Sequence, residues 1–344
     1  LYPFSVTLGS DTVYSYFAMR KCSVETDKDG VRRLFLNGKP YFHNGLLDQG
    51  YWPDGLYTAP SDDALVYDIQ LAKDMGFNML RKHIKVECDR WYYHCDRLGM
   101  LVWQDMVNGG SAYKHWFVTY LATLMNWNHI SFSDDEKHAG LLSRLHPEGK
   151  DEFRREITET IAFLYNHPSI VVWVPFNEGW GQFDALAACE QIRTLDSSRL
   201  VDHASGWFDQ KGGDILSLHY YFLKLKFKPE SKRAAALTEF GGYSLSIPGH
   251  SCCKKVYGYK KFNSTGALTY GYIDLIRQTI LPAVKKGIGA TVYTQLSDIE
   301  EETNGIYTYD REICKIDPDT LRKWNRALKE AGECKTYADH TTDH

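Results

Sequence analysis

Ser169-Ile170-Val171-Val172-Trp173-Val174-Pro175-Phe176, running on into Asn177-Glu178-Gly179-Trp180, is the segment from which the fold can be read. Its first eight residues form a nearly continuous apolar run, the pattern of a strand covered on both faces in a parallel sheet. The segment ahead of it, 151–166, carries Phe153, Ile157, Ile161 and Leu164 at helical spacing and stops at Asn166-His167-Pro168. A helix feeding a buried strand is one unit of an α/β fold.

The unit recurs on both sides. Strands are expected at 41–48, 77–81, 100–105, 169–176, 200–203, 215–220, 234–239 and 288–296. Ser61 stands where a helix N-cap belongs, with Asp62 and Asp63 in the first turn, Leu65, Ile69 and Ala72 on one stripe, and Gly76 at the stop. Further helices are expected at 89–98, 183–195, 271–286 and 317–331. Eight strands, most followed by a helix, over about 290 residues suit a (β/α)8 barrel better than an open doubly wound sheet. No Gly-x-Gly-x-x-Gly or phosphate-binding loop follows a strand, which argues against a nucleotide-binding fold. Residues 106–150 form a polar, aromatic-rich insertion. The first 30 residues fall outside the barrel pattern: 2–8 and 12–25 read as a hairpin around Gly9-Ser10-Asp11. The expected division is therefore 1–30, the end of an all-β domain, and 31–344, the barrel.

Of the 344 residues 43% are hydrophobic, and the formal net charge is −4, which gives no reason to expect nucleic acid or an anionic membrane as partner. No apolar run reaches the roughly 18 residues of a membrane span. Aromatic residues make up 14% of the chain, a composition that suits sugar-binding clefts as well as cores. The eight cysteines, Cys22, Cys88, Cys95, Cys189, Cys252, Cys253, Cys314 and Cys334, form no Cys-x-x-Cys pair and no zinc-ligand spacing. Scattered thiols are expected to be free and mostly buried, in a reducing, cytoplasmic compartment. The chain opens without an export signal but also without Met, so localisation stays open.

Functional residues of a barrel gather at the C-terminal ends of its strands. The fourth expected strand ends in Glu178 and the seventh, Leu237-Thr238-Glu239-Phe240-Gly241-Gly242, in Glu239, each beside glycines that let a ligand approach closely. A protonated and an ionised carboxyl on facing strand ends are what glycosidic bond cleavage requires, and a separation of about 5–5.5 Å gives retention of configuration. Glu178 is the expected general acid/base and Glu239 the expected nucleophile.

Phe176-Asn177-Glu178-Gly179-Trp180 resembles the acid/base motif of family 2 glycoside hydrolases, and Thr238-Glu239-Phe240-Gly241 resembles their nucleophile motif. Asn37-Gly38-Lys39-Pro40, Gly76-Phe77-Asn78-Met79-Leu80-Arg81, Cys95-Asp96-Arg97-Leu98-Gly99 and Asn304-Gly305-Ile306-Tyr307-Thr308-Tyr309-Asp310-Arg311 extend the resemblance over nearly the whole chain. The resemblance implies that Asn177 bonds the sugar 2-hydroxyl, that Tyr220 contacts the nucleophile, and that Arg81 lies beneath the carboxylates. Asp48, Trp52, Asp54, His83, Asp105, Trp180, His219 and Tyr293 are further candidates for the pocket. It also implies that the hairpin is the last part of an immunoglobulin-like domain, with upstream β domains of the same protein as partners.

Several positions depart from the family pattern. Tyr293 stands where many members have Trp, and Arg81-Lys82-His83-Ile84 replaces the Arg-x-Ser-His of the large β-galactosidases. Gly109 and Ser111 occupy the places of a Glu and a His in metal-dependent members, so no catalytic magnesium and no other cofactor are expected. The Asn-x-Lys signature of β-glucuronidases is not evident. The expected function is that of a retaining exo-β-glycosidase, β-galactosidase-like by family frequency. The same chemistry on a mannoside, glucuronide or arabinoside, and a non-catalytic carbohydrate-binding barrel, stay open, as does assembly into a homo-oligomer.

Overall fold

The computed structural model describes residues 1–112, 114–128, 130–221 and 224–333, so Cys334 lies outside the described residues. Two antiparallel strands, β1 (Tyr2–Leu8) and β2 (Asp11–Phe17), form the N-terminal hairpin. The expected second strand, 12–25, is in fact two. Its latter half, β3 (Cys22–Thr26), pairs with β4 (Arg32–Leu36), which in turn pairs with β5 (Lys39–Pro40). Leu34 of β4 packs into the inner core of the barrel, with Cys22 and Val24 against the same cluster. This small sheet therefore closes the N-terminal end of the barrel. The segment between hairpin and sheet is pinned there too: Arg20 donates to the carbonyls of Pro168 and Ile170 at 2.7 and 2.8 Å.

Eight parallel strands follow: β6 (His43–Asp48), β7 (Met79–Lys82), β8 (Leu101–Asp105), β9 (Ile170–Val174), β10 (Leu200–Val201), β11 (Ile215–Tyr220), β12 (Ala234–Gly241) and, after the short pair β13 (Tyr243–Ser244) and β14 (Lys260–Lys261), β15 (Ile288–Thr294). Their order is β10-β9-β8-β7-β6-β15-β12-β11, a barrel closed everywhere except between β10 and β11. That seam is held by Asp214, whose amide donates to the Val201 carbonyl at 2.8 Å and whose carboxylate accepts from the Val201 amide at 2.8 Å. The helices are α1 (Asp62–Asp74), α2 (Asp89–Leu98), α3 (Ala122–Trp127), α4 (Pro147–Leu164), α5 (Ala185–Leu195), α6 (Thr265–Leu275), α7 (Leu281–Lys285) and α8 (Pro318–Gly332). Ser61 caps α1 by accepting from the Ala64 amide, as its position predicts. Within the insertion between β8 and α4, a π-helical turn (Trp116–Leu121) runs into α3, and Phe117 and Val118 are buried with Trp207 and Phe208.

Side chains on each strand alternate between two cores, as the period of two demands. Leu47, Met79, Trp103, Val172, Ala236 and Val292 fill the barrel interior. Leu46, Leu80, Val102, Trp173, Leu237 and Tyr293 meet the helices. The thiols are less buried than expected. Cys95 and Cys189 are buried, Cys22, Cys253 and Cys314 partly so, and Cys88 and Cys252 are exposed; all seven are free.

The two ends of the N-terminal region should respond differently to truncation. Leu34→Ala empties a site that is 1% exposed and is expected to cost about 2–4 kcal/mol of unfolding free energy. Val6→Ala, on the exposed hairpin, is expected to stay within about 0.5 kcal/mol. Urea unfolding of the two variants against the parent measures both.

Candidate active site

Arg81, on β7, is fully buried, and its donors reach three other strands or strand ends. Nε and Nη2 bind the two oxygens of Asp105 at 2.9 and 3.0 Å. Nη2 also donates to Asn177 Oδ1 at 2.9 Å, and Nη1 to the Thr238 carbonyl at 3.1 Å and Glu239 Oε1 at 3.3 Å. Burial alone would favour loss of the Arg81 proton, but Asp105 and Glu239 outweigh it and keep the guanidinium charged. Asp105 accepts from His83 as well, at 2.9 Å.

Glu239 owes its inward direction to a β-bulge. Leu237 and Phe240 both face the helices, and strict alternation would turn Glu239 outward with Leu237. The register of β12 slips against β11 and β15 at this point, so Thr238 and Glu239 both face the barrel axis. Glu178 is directed differently. It follows β9 with φ +50°, a left-handed conformation that a glutamate rarely adopts, and its amide donates to the Ser205 carbonyl at 2.9 Å.

His219 stands between the two carboxylates. Its Nδ1 lies 2.8 Å from Glu178 Oε1 and 3.7 Å from Glu239 Oε2, and one ligand-capable atom from each of the three residues falls within 4.8 Å of the others. Burial, only partly countered by Glu239, pushes the imidazole down to about 4, so it is neutral near pH 7. Burial likewise pushes Glu178 up to about 7, against the opposing charges of His83 and Arg81. The Glu178 side chain is 24% exposed and that of Glu239 6%. The outer carboxyl thus faces the cleft, and the inner one is held by a cation. The cleft beside Glu178 is lined by Trp207, Tyr220, Tyr221 and Tyr259, by Lys224 and Lys226, and by Thr123 and Trp127 of the insertion.

Two expected pocket residues, Tyr293 and Asp48, prove to face the other way, and a third, Tyr220, lines the cleft without making the expected contact to Glu239. The hydroxyl that meets Glu239 Oε2 belongs to Tyr221, not Tyr220. His219 points inward, so the next residue on the strand must point outward, and Tyr220 packs against the helix-side core. Tyr293 is in that core too, against Phe240 and Tyr272, while its neighbour Thr294 reaches the Tyr221 hydroxyl at 3.2 Å. Asp48 is buried on the outer side of β6, paired with Lys82 at 2.7 Å. Of the remaining candidates, Trp52 is buried beneath Arg311 and Asp54 is exposed. Trp180 covers the loop after β8, its indole nitrogen donating to the Ser111 carbonyl at 3.2 Å. Tyr259, stacked on Tyr221 with ring centroids 3.8 Å apart, has no signature in the sequence. Glu302, Gln295 and Gln49 likewise have none. The two glutamine amides both donate to the Glu302 carboxylate, at 2.8 and 3.4 Å.

Among the described residues two groups have metal-ligand geometry, the Glu178–His219–Glu239 set itself and His250–Asp310–Glu312 on the surface. In the first, Arg81, Tyr221 and the hydrogen bond between His219 and Glu178 already engage the donor atoms.

Residues 28–280 match the family model described as "Glycosyl hydrolases family 2, TIM barrel domain". A β-galactosidase of Leuconostoc mesenteroides is 25% identical over 342 residues, covering 91% of this chain and 29% of that protein. A β-galactosidase of Lactococcus lactis is 28% identical over 189 residues, 53% of this chain and 16% of that one. The chain thus spans less than a third of the length of these curated relatives. Among solved structures, a β-galacturonidase of Eisenbergiella tayi bound to galacturonate superposes with a TM-score of 0.67 at 18% identity, over 94% of this chain and 57% of that one. A β-D-glucuronidase of Dictyoglomus thermophilum gives the same TM-score at 14% identity, over 94% and 56%. At such identities the structural likeness speaks for the fold. The match to the family model covers most of the chain, which belongs to glycoside hydrolase family 2 through its TIM barrel domain.

Proposed function

We propose that this chain is the catalytic barrel of a retaining exo-β-glycosidase that takes neutral sugars, β-galactosides first. The observation that carries the reading is the carboxylate pair, with His219 between Glu178 and Glu239 and oxygens of the two within 4.8 Å. That is close to the roughly 5–5.5 Å separation of retaining enzymes and well short of the roughly 6.5–9.5 Å of inverting ones. Glu239, stabilised as an anion by Arg81 and Tyr221, attacks the anomeric carbon as the bond to the leaving oxygen breaks. Glu178, a carboxylic acid near neutral pH, gives that oxygen its proton. The resulting carboxylate then takes a proton from water, whose oxygen displaces Glu239 from the anomeric carbon. Asn177, fixed by Arg81, offers its amide NH2 to the sugar 2-hydroxyl.

Glu302 favours a neutral glycone. It sits in the loop after β15, where Gln295 and Gln49 hold it; burial raises its pKa, against His83 and together with Glu239 and Glu178. No ion pair to Glu302 occurs among the described residues. Of the cations on β7 and just after it, Arg81 is engaged by Asp105 and Glu239, Lys82 by Asp48 and Glu87, and Lys85 by Glu87, while Lys224 and Lys226 line the cleft beside Glu178. A uronate carboxyl would meet a third carboxylate here, whereas sugar hydroxyls would donate to it. The names of the curated relatives, both β-galactosidases, point the same way.

Incubation with 2-deoxy-2-fluoro glycosides carrying a good leaving group is expected to leave a covalent sugar on Glu239. The galactoside should label fastest and the glucuronide not at all, as read by peptide mass spectrometry. An adduct on another residue overturns the nucleophile, and labelling by the glucuronide overturns the neutral glycone. Because the proton on Glu178 is lost as pH rises through about 7, kcat/KM for nitrophenyl glycosides should fall tenfold per unit above that value. Tyr221→Phe removes a charge-assisted hydrogen bond worth about 1.5–3 kcal/mol and should lower kcat/KM by about 10- to 100-fold. Tyr220→Phe, on the outer face, should change it by less than about threefold. A larger loss from the Tyr220 variant would reverse the assignment.

A further inference from the structure

Glu178 is joined to a carboxyl group deep in the barrel, Asp202, by an unbroken series of buried hydrogen bonds. His219 Nδ1 lies 2.8 Å from Glu178 Oε1, and its Nε2 lies 3.1 Å from Ser205 Oγ. Ser205 Oγ is 3.1 Å from Thr238 Oγ1, which is 2.5 Å from Ser217 Oγ, and Ser217 Oγ is 3.0 Å from Asp202 Oδ2. Every member beyond Glu178 is buried, Ser205, Thr238 and Asp202 completely. Asp202 makes no ion pair among the described residues, and its Oδ1 is buried without a hydrogen-bond partner. A buried carboxyl with one orphaned oxygen is costly in a fold with no use for it, and the mechanism above does not use it.

We propose that Asp202 is a positioning residue for Glu178, acting through Ser217, Thr238, Ser205 and His219 to keep the proton on the acid/base. The argument is one of hydrogen-bond polarity. Each hydroxyl has one hydrogen to donate, and neutral His219 has one N–H, so the series must point in a single direction. With Asp202 ionised, Ser217 donates to it, Thr238 to Ser217, Ser205 to Thr238, and His219 Nε2–H to Ser205. Nδ1 is then an acceptor, and the group facing it at 2.8 Å, Glu178, is required as a carboxylic acid. With Asp202 protonated every donor reverses, and Nδ1–H supports a Glu178 carboxylate instead. Two competing contacts are longer: Thr238 to the Leu218 carbonyl and Ser217 to Ser205 Oγ, each at 3.4 Å. Arg81, His203 and Asp105 also bear on Asp202, and burial raises its pKa to about 6. Around Glu178 stand Arg81 and His83 from the β7 end, Tyr221, Lys224 and Lys226 after β11, Glu239 from β12, and Tyr257, Tyr259 and Glu302 from the loops. None of these couples Glu178 to the interior through a tautomer, which is what the serine–threonine series adds.

The role assigned to Glu178 rests on the proposed function, but its titration can be read without substrate. With [δ-13C]glutamate incorporated and the Glu178 resonance identified by its loss in Glu178→Gln, the midpoint of the parent chain is expected near 7. Asp202→Asn removes the charge, and Ser205→Ala cuts the series while leaving Asp202 in place. Both are expected to lower the midpoint by about one unit, which would bring the alkaline limb of kcat/KM down with it. If the asparagine variant fails to fold, Ser205→Ala alone decides. A midpoint unmoved or raised in a folded variant overturns the proposal, as does a fall in activity equal at every pH. Absence of glycosidase activity in the parent would count against the proposed function and leave the NMR titration as the test of Asp202.

Discussion

The site is organised by one buried cation. Taking the Arg81 guanidinium out of water costs several kcal/mol unless its donors are met, and they are met by groups from three places in the chain. Asp105 ends β8, Asn177 follows β9, and Thr238 and Glu239 lie on β12. The planar fork fixes directions as well as distances, which a lysine ammonium would not do. Asp105 takes the fork face-on, and the remaining hydrogens are left to orient the amide of Asn177 and one oxygen of Glu239. The positions of these strand ends are therefore set in common, by a group that does not itself reach the cleft.

From this follows the inequality of the two carboxylates. Glu239 is inside, beside the cation and under the Tyr221 hydroxyl. Glu178 is further out, dominated by burial and faced by a neutral imidazole. Two chemically identical groups thus meet different surroundings, one beside a fixed cation and one raised toward the neutral acid by burial. The strained φ of Glu178 serves the same end. A relaxed backbone at the end of β9 would not aim this carboxyl back over the barrel axis, and the Ser205 carbonyl that receives its amide offsets part of the strain.

Much of this was legible in the sequence because barrel strands end where their chemistry begins. The eight strands, the cap at Ser61 and both glutamates follow from apolar runs, turn residues and lone carboxylates. Tyr220, Tyr293 and Asp48 went astray for a single reason: proximity in sequence stood in for direction. Once His219, Val292 and Leu47 are assigned inward, the period of two sends each following residue outward, and Tyr221 and Thr294 come in. That correction needed no coordinates. Glu239 is the opposite case. Counting from Leu237 or Ala236 would have placed it on the wrong face, and only the bulge at Thr238 returns it. A bulge has no signature in an apolar run. Tyr259, Glu302 and the residues of α3 were illegible for another reason, since loops bring them to the site by tertiary packing with no local pattern.

The bulge also ties the two halves of the site together. It turns Thr238 inward beside Glu239, and Thr238 is the middle of the hydroxyl series that runs from His219 to Asp202. The same local irregularity that turns Glu239 inward beside Thr238 thereby supplies Glu178 with its connection to the interior. Without Thr238 the strand would regain its alternation and Glu239, following Leu237, would still face the axis, but Ser205 and Ser217 would lose the hydroxyl between them. A strand in perfect register could present one of these side chains to the axis, but not both. The irregularity of β12 is therefore a requirement of the site, and the neighbouring strands β11 and β15 adjust their register to accommodate it.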